Sequence, residues 1–380
     1  MRRTRTRLLI AVGAGVVLLL VAVLSHFVRH GNAVWVYTPP EPGVAHFDAS
    51  GGDLFVASSS GRAVDLDLAT GVERPGSEFR RPFALLGQPL IVDRRVLLGG
   101  DDSRLRCLDL AGGRALWEIP TGGAVRGRPT VSEGRVYFGS DDGYVYCADL
   151  NTGTLLWQCY SGGPVGAEVA LTDSHLVAGL ASRGVVGMDA SPAPSPPEAS
   201  AEAPTAAVTA PAASVSDMSR WSWGLRLPAA VLSPVVSYEP GKIVVGSDEG
   251  AAYFLQAADG KFLFKVNFGG MVRCRPAAVR GYVVLADTNG DVRMVDDTGR
   301  PVWSRELRTN PTAGVVFSGA ALYLSTAAGQ VLALRLTDGA TLWRRDLPAP
   351  GGDCLQVTDA LVLVGLDDGR ICAFRRPPRG

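Results

Sequence analysis

Residues 136–157 read VYFGSDDGYVYCADLNTGTLLW. An apolar run, an acidic-Gly turn, an alternating run, a Thr-Gly turn and a third run bearing a Trp spell three strands joined by two hairpins. Glycine in each turn supplies the positive φ that a tight hairpin needs. Gly139 marks the first of these strands. Working outward, the markers in chain order are Ala57, Gly99, Gly139, Gly179, Gly246, Ala286, Ser325 and Gly365, spaced by 42, 40, 40, 67, 40, 39 and 40 residues. The chain therefore repeats every ~40 residues, with one excess of about 27. Asp67, Asp109, Asp149, Asp189 and Asp296 each stand ten residues after their marker. Turn glycines follow at Gly71, Gly113, Gly153, Gly260, Gly299 and Gly339. Four residues beyond five of them come Trp117, Trp157, Phe264, Trp303 and Trp343.

Four short strands in about 40 residues is the period of a β-propeller blade. Dense Val, Tyr and Gly with period-2 patterning excludes a helical solenoid. The aromatic falls on the outermost strand, where its area fills the widening gap between blades. From each of these aromatics to the next marker is 22 residues, and Trp35 stands 22 residues before Ala57 with no blade ahead of it. The last repeat reaches Arg375, and its own aromatic would fall at 383, beyond residue 380. The sequence thus predicts an all-β, eight-bladed propeller of four-stranded blades over residues 33–376, the eighth blade closed by the strand around Trp35. Closure hides sheet edges that would otherwise be exposed.

The excess is residues 191–217, rich in Pro, Ala and Ser with no aromatic, Leu or Ile. Such a composition builds no core, so a disordered insertion between the third and fourth strands of blade 4 is expected. At the N-terminus, Arg2, Arg3, Arg5 and Arg7 precede an uncharged apolar run over 8–28. Twenty-one residues at helical rise cross a ~30 Å hydrocarbon layer. The expectation is a cytoplasmic tip at 1–7, a membrane-spanning signal anchor at 8–28 and a monomeric propeller held outside a bacterial inner membrane, in the periplasm. A cleaved signal peptide is the rival. With the five arginines of residues 1–30 set aside, 32 basic residues face 37 acidic ones, which argues against nucleic-acid binding.

The run Asp149-Leu-Asn-Thr-Gly153-Thr-Leu-Leu-Trp157 resembles the Asp-x-x-Thr-Gly-x-x-x-Trp signature of pyrroloquinoline-quinone-like (PQQ-like) propeller repeats, and Gly246-Ser-Asp-Glu-Gly250 fits the same repeat. The resemblance implies one of two roles. Calcium-dependent quinoprotein dehydrogenases share the repeat, as do non-catalytic envelope propellers of the BamB type, which the chain resembles more in size. The adjacent-cysteine pair of the dehydrogenases is missing, and most connections here are short. The resemblance therefore implies a protein-binding scaffold, in outer-membrane protein or envelope assembly, with protein partners and no cofactor, metal or catalytic residue. A quinone-dependent oxidoreductase and a sensor or carbohydrate-binding propeller remain the alternatives.

Three residue groups carry further expectations. Arg126 with Arg128, and Arg273 with Arg275, share strand parity at blade starts, where channel mouths receive partners, so they are candidate partner-binding residues. Salt bridges to acidic turns are the competing reading. Cys147 and Cys159 stand six residues either side of Gly153 and are a candidate cross-strand disulfide. The paired acids Asp101-Asp102, Asp141-Asp142, Asp248-Glu249 and Asp367-Asp368 recur on equivalent loops, where Asp supports turn geometry by bonding nearby backbone, calcium binding being the competing reading.

Overall fold

The computed structural model describes residues 33–85, 87–172, 174–190 and 220–377. The basic tip 1–7, the apolar run 8–28 and the insertion 191–217 lie outside the described residues. Among the described residues no helix is long and apolar enough to cross a membrane.

The described residues form eight four-stranded antiparallel sheets arranged as blades. Blade 1 covers 45–80, blade 2 90–120, blade 3 130–160, blade 4 170–226, blade 5 236–267, blade 6 277–306 and blade 7 316–346. In blade 8 the strands Gly351–Val357, Leu361–Leu366 and Ile371–Arg375 are completed by Trp35–Tyr37, which pairs Trp35 with Ala373 and Tyr37 with Ile371. Strand order runs from the channel to the rim within each blade, so second and third strands are covered on both faces. Their sequences answer to that: Arg135–Gly139 and Tyr144–Asp149 are buried along almost their whole length. Fourth strands such as Thr341–Asp346 alternate and face solvent.

The core follows the ring. Each of eight apolar clusters lies between two neighbouring blades: Phe47, Leu54, Leu363 and Ile371 join blades 1 and 8, and Leu97, Leu105, Phe138 and Tyr146 join blades 2 and 3. No blade can bury its own faces alone, so stability depends on closure.

The repeated aromatic and turn glycine meet across these seams. The indole N–H of Trp35 donates to Leu68 O (3.1 Å), Trp117 to Leu150 O (3.1 Å), Trp223 to Ala257 O (2.8 Å) and Trp303 to Leu336 O (2.8 Å), each in the next blade. Phe264 lies on Gly299 without such a bond. Trp157 and Trp343 are covered by Arg220 and Arg345, centred 4.5 and 5.0 Å from their rings. Gly113 meets no such aromatic. It packs on the Ser77 carbonyl of blade 1, where the repeat has degenerated. Gly153 serves twice, having φ +70° and leaving a Cβ only 2.6 Å from the Trp117 ring. Gly153→Ala should destabilise the fold by about 2 kcal/mol and shift the Trp117 emission, read by urea unfolding followed by tryptophan fluorescence. The repeated Asp shapes the same turn: Asp149 Oδ1 accepts from Asn151 N (3.0 Å), Thr152 N (2.8 Å) and Thr152 Oγ1 (2.9 Å).

That turn corrects the disulfide expectation. The hairpin pivots at Asn151–Thr152 and is bulged after Cys147, so Cys147 faces Trp157 and Cys159 faces Val145. The two cysteines share a face and one apolar cluster but are diagonal neighbours. Diagonal positions sit about 7–8 Å apart, against the ~3.8 Å Cβ separation of a disulfide. Burial pushes the Cys147 thiol up to about 11.

The seam between blades 8 and 1 also carries a charged network. Arg62 is buried and donates to Tyr37 Oη (2.9 Å), Glu73 Oε2 (2.8 Å) and Glu78 Oε1 (3.2 Å), while Tyr37 donates to Glu73 Oε1 (2.8 Å). Beside it, Arg74 approaches Asp65 (3.0 Å), Asp53 (2.9 Å) and Asp67 (3.5 Å). Burial, then the neighbouring Asp53, raises the Asp65 carboxyl to about 6. A carboxyl raised in the folded state holds its proton better folded than unfolded. Its contribution therefore favours folding at low pH and fades as pH rises from about 4 to about 6. Asp65→Asn should accordingly stabilise the protein at pH 7.5 by up to about 3 kcal/mol and lose that advantage near pH 4, measured by urea midpoints at both pH values.

Candidate functional site

The first strand of every blade begins at one mouth of the central channel, and turns between second and third strands lie on that same face. Turns between first and second strands lie on the opposite one. A cavity of about 320 Å³ occupies the mouth, lined from all eight blades. Its charged walls are His46, Arg126, Arg128, Glu168, Arg273, Arg275 and Asp353. All four arginines singled out from sequence parity thus stand around a single opening.

The repeat explains this convergence. His46, Gln88, Arg128, Glu168 and Arg275 each stand eleven residues before their marker, in blades 1, 2, 3, 4 and 6. One position of the repeat points inward at the channel, and substitution there decorates the mouth without altering the blades.

The second arginine of each pair forms a chord across a blade. Arg128 Nη2 of blade 3 meets Asp48 Oδ1 of blade 1 at 3.0 Å, and Arg275 of blade 6 pairs with Glu168 at the start of blade 4. Asp48 is buried and also accepts from Ile91 N of blade 2 (2.7 Å) and Gln356 Nε2 of blade 8 (3.2 Å), so one carboxylate ties four blades. His46 Nδ1 lies 3.5 Å from Asp353 Oδ1 across the closing seam. The first arginine of each pair also lines the mouth: Arg126 Nε reaches Asp141 Oδ2 at 2.6 Å, while Arg273 is exposed and has no ion pair among the described residues. Cys274 lines the cavity, donating to Pro311 O (3.4 Å), and burial raises its thiol to about 11, which leaves it protonated and unreactive at neutral pH.

The paired acidic residues act mostly on the backbone and on neighbours. Asp142 accepts from Gly122 N (2.7 Å), Tyr144 N (2.9 Å) and Tyr146 Oη (2.6 Å), Asp248 from Ala230 N (3.0 Å), and Asp102 pairs with the buried Arg106. Sequence parity found the arginines but missed Asp48, Glu168 and Gln356. Glu168 was findable, since it shares the Arg128 position of the repeat. Asp48 and Gln356 carry no local signal, because only closure brings them together.

Fold, repeat and seam geometry define a PQQ-like eight-bladed propeller. The family described as "Outer membrane protein assembly factor BamB" matches residues 20–192 and 212–375, and the chain belongs to it. It is 24% identical over 135 residues to the outer membrane protein assembly factor BamB of Shewanella oneidensis, an alignment of 34% of this chain and 33% of that one. It is 32% identical over 110 residues to the protein of that name from Burkholderia pseudomallei, 29% of each. The chain thus spans about a third of the length of these curated relatives. Among solved structures, the computationally designed Ika8 protein gives a TM-score of 0.75 at 16% identity, covering 91% of this chain and 100% of its own. BamB from Moraxella catarrhalis gives 0.68 at 16%, covering 92% and 98%. The quinohemoprotein alcohol dehydrogenase of Comamonas testosteroni gives 0.66 at 14%, covering 93% and 78%. At these identities the three structures share the fold.

Proposed function

We propose that this chain is an envelope scaffold that binds protein partners at the arginine-lined channel mouth and takes part in outer-membrane protein assembly, without catalysis. Membership of the BamB family supports the assembly role. The observation that carries the binding role is the mouth itself, where four arginines from blades 3 and 6 surround a cavity on a rigid closed ring. A rigid ring with a variable inward position suits recognition. In this reading the apolar run 8–28 anchors the chain in the inner membrane and holds the ring in the periplasm.

A quinone enzyme needs carboxylates free to hold calcium and to act as base. Of the two carboxylates that line the mouth, Glu168 is paired with Arg275 and Asp353 stands exposed beside His46, and among the described residues no three His, Cys, Asp or Glu side chains are grouped to hold a metal ion. The residues present therefore do not fit that cofactor. Crosslinking in native membranes followed by mass spectrometry tests the proposal. Recovery of outer-membrane assembly components supports it, and reproducible absence of any envelope protein overturns it.

A further inference from the structure

Internal equivalence around the ring identifies a cation that lacks its carboxylate. Arg126 and Arg273 each stand thirteen residues before their blade's marker, Gly139 and Ala286. The backbone repeats with them: Asp141 N donates to Ala124 O (2.9 Å) and Thr288 N to Met271 O (3.0 Å). Asp141 and Thr288 are therefore the same position in blades 3 and 6. In blade 3 the Asp141 carboxylate holds Arg126 at 2.6 Å. In blade 6 a threonine stands there, its hydroxyl accepting from Met271 N (3.0 Å). The adjacent Asp287 is buried, with its oxygens taken by Gly270 N (2.8 Å), Asn289 N (3.0 Å) and Asp291 N (2.8 Å). Glu168 is held by Arg275. Arg273 thus lines the cavity with no ion pair among the described residues, while Asp287 and Glu168 are engaged elsewhere.

We propose that the channel mouth binds an acidic segment of a protein partner, one of whose carboxylates takes the place against Arg273 that Asp141 takes against Arg126. This rests on the scaffold reading above and specifies the chemistry of its partner. An extended peptide fits better than a small anion, because Leu232, Pro234, Val315 and Leu355 add apolar wall between the charges. Gly166, where a Cβ would meet only Asp141 Oδ1 at 3.7 Å, leaves room for a backbone to approach. Charge complementarity of this kind sets partner choice and association rate more than bulk affinity.

The test uses the full-length chain in detergent and two fluorescein-labelled octapeptides, one alternating Glu with Leu and the other Gln with Leu, read by anisotropy at low salt. The Glu peptide should bind about tenfold more tightly than the Gln peptide. Arg273→Gln should erase that preference, and Arg273→Lys should keep part of it. Thr288→Asp, which supplies the carboxylate internally, should weaken binding as much as Arg273→Gln does. Asp141→Thr, which releases Arg126, should strengthen it. Arg280→Gln, on the opposite face, should change nothing. Equal binding of the two peptides, or equal losses in Arg273→Gln and Arg280→Gln, would overturn the proposal. If envelope crosslinks persist unchanged in Arg273→Gln, the peptide chemistry fails and the scaffold reading stands. If the Glu peptide binds with the stated dependences but no envelope partner is recovered, the reverse holds.

Discussion

Removing residues 33–38 should destroy the cooperative fold, because the ring loses the strand that closes it. Trp35, Val36 and Tyr37 each cover a seam, Trp35 and Tyr37 against blade 1 and Val36 against blade 7. Burying large apolar side chains stabilises by roughly 1.5–3 kcal/mol each. The truncation also strips Arg62 of its Tyr37 bond and leaves the strand Ile371–Arg375 as an open edge. The sum, of order 5 kcal/mol or more, rivals the whole stability of an ordinary domain. Truncated protein should lose its sharp thermal transition and self-associate on size-exclusion chromatography, and a synthetic peptide spanning 31–40 should restore the monomer. An unchanged transition would show that blade 8 closes without its fourth strand. Trp35→Ala alone should lower stability by about 2–3 kcal/mol.

The second large effect belongs to Asp48. Its carboxylate accepts from blades 2, 3 and 8 while belonging to blade 1. Asp48→Ala leaves the Arg128 guanidinium and the Ile91 N–H without their partner in a largely buried setting. Breaking one side of such a pair costs about 3–5 kcal/mol. Asp48→Asn keeps an acceptor oxygen and should cost about 1–2 kcal/mol. The double variant Asp48→Ala with Arg128→Ala should be less destabilised than the sum of the single changes, by more than about 1 kcal/mol, in a urea-unfolding cycle. Additivity would mean that the two blades are held by packing alone.

The blade count, the strand order and the closing strand were legible because each is written as a period. A 40-residue spacing with Asp, Gly and Trp in fixed places leaves little freedom. The same periodicity located Arg126, Arg128, Arg273 and Arg275. What was not legible depends on local geometry or on closure. Equal sequence distance from Gly153 suggested that Cys147 faces Cys159, but the Asp149 turn pivots earlier and a bulge shifts the register. The docking aromatic of blade 4 proved to be Trp223, against Gly260, because the insertion displaces the spacing that would single it out. Blade 1 shows no aromatic signal because Phe79, the outer-strand aromatic it buries against blade 2, stands eight residues after the turn Gly71 instead of four. Asp48 meets Gln356 across 308 residues, a separation that no sequence window spans.

The central claim is that partners meet this ring at the arginine mouth. A photo-crosslinking amino acid placed at Leu232, which lines that mouth, and at Tyr282, exposed on the opposite face, tests it in native membranes. Leu232 should give discrete adducts with an envelope protein that disappear in Arg273→Gln, and Tyr282 should give none. Adducts from Tyr282 with none from Leu232 would contradict the account.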